Sequence, residues 1–116
     1  MLTQKNISAA IKNFVVAYNK QQYKKACNFY ADHGVVIGDE SPAVGRAEIL
    51  RQLRKDAHID GCDSIELGQT IMRIESTKNT AVVWQEFSAA GEKGVSVLMI
   101  KLIDGRPQVV GDMTMV

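Results

Sequence analysis

Apolar positions follow a helical period along the first third of the chain. Ile7, Ile11, Phe14, Val15 and Tyr18 fall at i, i+4, i+7, i+8 and i+11, one face of a 3.6-residue repeat. Thr3 stands where an N-cap would satisfy the first free amides. After the short Lys20-Gln21-Gln22 link, Tyr23, Ala26, Cys27 and Tyr30 repeat the same spacing. A second helix is therefore expected to run to Asp32-His33, closed by Gly34 in a left-handed conformation. Val35-Val36-Ile37 then reads as a short strand, and Gly38 to Gly45 as a loop rich in Gly, Asp, Ser and Pro. A third helix is expected from Arg46 to Ala57, with Ile49, Leu50 and Leu53 as its apolar stripe. Glu48 suits its first turn, beside the positive end of the helix dipole.

The period changes to two in the second half. Ile65 to Glu75, Thr80 to Ala89, Val95 to Ile103 and Gln108 to Val116 read as strands joined by short polar turns. Such turns favour hairpins and an antiparallel meander. Helices first and strands afterwards is the α+β pattern. The expected architecture has three helices and five to six strands.

A sheet with one wet face should alternate apolar and polar residues. Here Val82, Trp84, Val97, Met99, Ile103, Met113 and Met115 share one parity. Ala81, Val83, Phe87, Leu98, Ile100 and Leu102 share the other. Both faces are largely apolar, and the helices of so short a chain can cover one of them. A second copy of the chain is the simplest cover for the face that carries Trp84, Met99 and Met113, so a homodimer is expected. The alternative is that the long helix and the tails cover both faces.

The order helix, helix, short strand, helix, four-stranded meander resembles the nuclear transport factor 2-like superfamily, with its steroid delta-isomerases and SnoaL-like polyketide cyclases. The resemblance is carried by Phe14-Val15-Val16-Ala17-Tyr18-Asn19, by Phe29-Tyr30-Ala31-Asp32-His33-Gly34-Val35-Val36 and by Val44-Gly45-Arg46-Ala47-Glu48-Ile49. It implies a strongly curved antiparallel sheet wrapped around a long N-terminal helix as a cone, with a pocket at the mouth. It also implies dimers that pair through the outer sheet face. It does not carry the isomerase chemistry across. The oxyanion-holding tyrosine of that branch matches Phe14, the proton-shuttling aspartate matches Gly38 and the second acid matches Ile100. None of these side chains can do that work, although Asp39 lies beside Gly38. A fold of this kind hosts many unrelated activities.

The same correspondence turns Phe14, Tyr18, Tyr30, Val83, Gln85, Phe87, Ile100, Asp112, Thr114 and Val116 towards the pocket. Asp112 is the candidate general acid or base, because a carboxylate facing an apolar cavity is desolvated and its pKa rises. Tyr30, Tyr18 or Gln85 would orient a substrate beside it. The alternative is that Asp112 caps a turn, pairs with Arg73 or a lysine, or sits at a wet rim. Arg73 itself would hold an anion or simply face solvent.

Composition narrows the function classes. The chain has 116 residues, 46% hydrophobic and 23% charged, which fits a single globular domain over residues 1–116. A net charge of +1 gives no electrostatic footprint for nucleic acid. No secretory signal or membrane span is visible in the sequence, so a cytoplasmic location is expected. Cys27 and Cys62 are then expected as free thiols. His33, His58, Asp60, Cys62 and Asp63 do not make a metal-ligand spacing. No dinucleotide, phosphate-loop or serine-hydrolase motif occurs, so neither a metal nor a cofactor is expected. The reading is a cone domain that binds a small, mostly apolar molecule. If it is an enzyme, cofactor-independent isomerisation, dehydration, cyclisation or hydrolysis is the expected chemistry. The alternative is a non-catalytic ligand-binding or assembly module.

Overall fold

The computed structural model describes residues 1–116. Helix α1 (Gln4–Asn19) begins at Thr3, whose hydroxyl accepts from the Asn6 amide at 3.1 Å. The Asn6 side chain answers by accepting from the Thr3 amide at 2.8 Å, so two free donors are satisfied reciprocally. Leu2 and Ile7, on either side of this cap, are both buried in the core. At its far end Asn19 makes two hydrogen bonds to the backbone of Ile65, of 2.8 and 2.9 Å. The long helix is thereby fixed at the cap and at Ile65.

The second helix is shorter than its periodicity suggests. Helix α2 (Tyr23–Ala26) passes into a 3-10 turn (Cys27–Phe29), and the chain is already extended in β1 (Tyr30–Ile37). Gly34 therefore closes no helix; it lies inside a strand. A Cβ there would stand 3.1 Å from the carbonyl oxygens of both Ala31 and Val109, so glycine permits a close passage of strands. The expected strand Val35-Val36-Ile37 is the second half of β1.

A two-residue strand, β2 (Ala43–Val44), lies within the expected loop, and helix α3 (Arg46–His58) follows. Gly45 precedes α3 with φ +83°, which glycine adopts at little cost. Arg46 ties α3 to β1. Its Nε donates to the Tyr30 carbonyl at 2.8 Å, and Nη1 meets the Asp32 carboxylate at 2.7 Å.

The four long strands are β3 (Ile65–Glu75), β4 (Thr80–Ala89), β5 (Glu92–Ile103) and β6 (Arg106–Met115). The six-stranded sheet has the order β2-β1-β6-β5-β4-β3. The expected antiparallel meander is present from β3 to β6, but β1 joins β6 in parallel, so the sheet is mixed. The β4–β5 turn is Ala90-Gly91 and the β5–β6 turn Asp104-Gly105, all four residues with positive φ. That conformation matches the natural twist of a tight hairpin.

One sheet face closes over α1 and α3. Ile7, Ile11, Ile49, Val83, Leu98, Ile100 and Val109 form its centre. The other face leaves Ile71, Val82, Trp84, Met99, Met113 and Met115 exposed. No helix is long and apolar enough to cross a membrane.

Candidate functional site

Two β-bulges shape the inner face. Between β5 and β6, Met99 is paired with Gly111 but Ile100 with Val109, so Val110 is an extra residue on β6. A bulge reverses the in-out alternation beyond it. Val109 and Asp112 differ in parity, yet both are buried on the inner face. The bulge is what turns the Asp112 carboxyl inwards.

The second bulge lies between Leu67 and Thr70 on β3, opposite β4. Buried Gln85 serves it. Its Nε2 lies 3.4 Å from the carbonyls of Gly68 and Gln69 and 2.9 Å from that of Glu86. Its Oε1 accepts from the Thr70 hydroxyl at 2.6 Å. Gln85 touches the cavity, but its amide is spent on the bend rather than free to orient a substrate.

A cavity of about 660 Å³ opens between α1, α3, the 38–45 loop and the inner sheet face. Phe14, Tyr18, Tyr30, Gln85, Phe87, Asp112, Thr114 and Val116 line it. Val83 and Ile100 do not. They face inwards, but at 0% and 1% exposure they are packed in the core. Gly38 and Asp39 lie on the cavity wall.

Asp112 sits in this wall at 7% exposure. The Tyr30 hydroxyl donates to its Oδ2 at 3.1 Å, and the Thr114 hydroxyl donates to its Oδ1 at 2.9 Å. Thr114 and Ser96 share a 2.9 Å hydrogen bond. Since Thr114 gives its proton to Asp112, Ser96 is the donor in that pair. Neither Arg73 nor any lysine pairs with Asp112; the ion pairs are Arg46–Asp32 and Lys55–Glu40. Arg73 lies opposite exposed Val82, on the outer face. Burial pushes the Asp112 carboxyl up to about 6, against the downward pull of the hydroxyl donors. Burial and the neighbouring Asp112 raise Tyr30 well above its ordinary value, so the phenol keeps its proton and remains a donor.

Tyr18 is positioned differently. Its hydroxyl donates to the Cys62 carbonyl, which fastens the loop after α3 to α1. Burial, reinforced by nearby acids, holds its proton well above the ordinary range. Phe14 stacks in tilted geometry against Phe29, with ring centres 5.0 Å apart, and edge-on to Tyr30 at 5.9 Å. These rings give the cavity an apolar wall beside Asp112. Cys62 also lines the cavity, but burial and nearby carboxylates push its thiol up, the opposite of nucleophile activation. No three His, Cys, Asp or Glu side chains converge to hold a metal ion.

Sequence reasoning missed the acids contributed by α3 and the loops: Asp56, Asp60, Glu40 and Glu92 all border the cavity. Loops have no face to read from periodicity, and Asp56 lies outside the apolar stripe of α3.

A curved sheet around a long helix, with a buried acid in an open cavity, defines a class of cone-shaped α+β domains. Within that class the chain has the NTF2-like fold. It superposes on an NTF2-like protein of unknown function from Shewanella oneidensis MR-1 with a TM-score of 0.83 at 17% identity, covering 97% of this chain and 98% of that one. An NTF2-like protein with a cystatin-like fold from Novosphingobium aromaticivorans gives 0.79 at 13%, over 96% and 79% of the two chains. An NTF2-like protein of unknown function from Pseudomonas putida KT2440 gives 0.73 at 12%, over 96% and 84%. No family model matches the sequence, and no curated protein matches it. At these identities the likeness establishes the fold and leaves activity to be argued from the site.

Proposed function

We propose that this chain is a small-molecule-binding domain whose cavity is equipped for cofactor-independent acid–base chemistry at Asp112. The observation that carries the reading is a buried carboxyl in an open, largely apolar cavity with no cation paired to it, surroundings that push its pKa up to about 6. Near neutral pH such a group accepts or returns a proton at little cost. Tyr30 and Thr114 hold its two oxygens in place, and each oxygen keeps acceptor capacity for a substrate. Isomerisation, dehydration, cyclisation and hydrolysis are the reaction classes this arrangement suits. The steroid isomerase mechanism is not among them, since Phe14 and Gly38 offer neither an oxyanion donor nor a base.

The test follows the Asp112 side-chain carboxyl by carbon-13 NMR as pH is varied. Its midpoint is expected near 6, and phenylbutanol, a neutral probe of suitable size, should raise it saturably by displacing water. A midpoint near the ordinary value of 3.8, unmoved by the probe, would count against the reading.

A pairing role stands beside this one. Exposed Val82, Trp84, Met99 and Met113 support a homodimer formed through the outer sheet face.

A further inference from the structure

The charges on the cavity wall are one-sided. Asp39, Glu40, Asp56, Asp60, Glu92 and Asp112 line it, and no lysine, arginine or histidine does. Composition does not explain this, because the chain carries 14 Lys and Arg against 13 Asp and Glu. Of these six acids, Glu40 alone is in an ion pair, with Lys55. Asp56 is half-buried, and its partner is a neutral amide, Gln52 Nε2 at 2.8 Å. Burial raises its carboxyl, and the neighbouring Asp60 and Glu40 raise it further. Asp39, Glu40, Asp60 and Glu92 are exposed, but for half-buried Asp56 and buried Asp112 the 18 hydrophobic residues of the lining provide the low-dielectric surroundings in which uncompensated charge matters most.

We infer that the ligand of this cavity is an organic cation, with an apolar body against the hydrophobic lining and a protonated amine among the acids led by Asp56. This inference rests on the reading of the cavity as a small-molecule site and adds the class of molecule it takes. A carboxylate or phosphate ligand would bring like charge into an acidic wall. A bare metal ion would need converging ligands, which these acids do not provide. An ammonium group can instead donate to separate carboxylates while its carbon skeleton occupies the apolar side.

Calorimetric titration of the full chain with three probes of one skeleton tests this: phenylbutylamine, phenylbutanol and phenylbutyrate. Near neutral pH the amine should bind at least about tenfold tighter than the alcohol, equivalent to about 1.4 kcal/mol, with the carboxylate weakest. Added salt should shrink the amine's advantage. Asp56→Asn should reduce the ratio of amine to alcohol affinity, and Glu92→Gln, in an exposed hairpin, should reduce it as well with little risk to folding. If the alcohol binds and the amine binds no better, the cation inference fails while the cavity reading stands. If none of the three binds, both fail.

Discussion

Asp112 couples site chemistry to stability. Its carboxyl titrates at about 6 in the folded chain against an ordinary 3.8, so the folded state binds the proton more tightly than the unfolded state. The sign follows directly. Stability from this group is full below about pH 3.8 and is lost as pH rises through 6. The loss amounts to about 3 kcal/mol above that window. Asp56, also raised, acts in the same direction, so comparison with a single variant is needed to isolate Asp112. Asp112→Asn should be more stable than the parent at about pH 8 by up to roughly 3 kcal/mol, with the gap closing towards about pH 4. Urea unfolding across that range measures it, and a gap independent of pH would show that Asp112 titrates normally. Tyr30→Phe removes one of the two donors that hold the carboxylate, and should move the Asp112 midpoint upwards by NMR. At this scale the sequence was informative where a side chain sits on a strand. The family resemblance, rather than the strand alternation, turned Asp112, Thr114 and Val116 towards the cavity, whereas Asp56 and Glu92 became site residues only when α3 and a hairpin met across it.

Among the elements, those with long uninterrupted periods were legible: α1, α3 and the four meander strands lie close to where their patterns place them. Helix α2 was not. The spacing of Tyr23, Ala26, Cys27 and Tyr30 is helical, yet Tyr30 starts a strand because β1 pairs with β6 from that residue onwards. Pairing to a strand almost eighty residues away is invisible to a local period. The bulges escaped for the same reason, since an extra residue is defined only against a partner strand. Glycine marks the tightest of these approaches. Gly94 faces Phe87 across β4 and β5, and a Cβ there would lie 2.7 Å from the Phe87 ring and 2.8 Å from the Met115 carbonyl. Gly94→Ala should therefore cost about 1–3 kcal/mol and displace Phe87 at the cavity wall. At Gly38 a Cβ would meet nothing within 4 Å, so Gly38→Ala should stay within about 0.5 kcal/mol of the parent. Urea midpoints for the two variants decide it; equal midpoints would mean that β5 shifts freely at Gly94.

For the whole molecule, the two-faced sheet has consequences for assembly. Its inner face closes over α1 and α3 and keeps the cavity, whereas its outer face ends in Ile71, Val82, Trp84, Met99 and Met113, each more than 40% exposed. Scattered apolar side chains are normal on a surface, but these lie on adjacent strands: Val82 is paired with Met99, Trp84 with Val97, and Val97 with Met113. They form one contiguous patch, the kind of surface that marks an interface. A curved sheet can meet a copy of itself about a twofold axis, which is the simplest closed arrangement, and the cavity on the opposite face stays accessible in such a pair. Dimer formation and ligand binding should therefore be separable by mutation. The full chain should sediment as a dimer at micromolar concentration. Met99→Glu, at a position 55% exposed, should yield a folded monomer, because it sets a charge into the apolar patch without disturbing the core. The helical and β circular dichroism of that monomer should match the parent, and its affinity for phenylbutanol should be unchanged. A parent chain that sediments as a monomer would remove the dimer. A Met99→Glu monomer that had lost probe binding would mean that the outer face supports the cavity, and that the two faces of the sheet work as one unit.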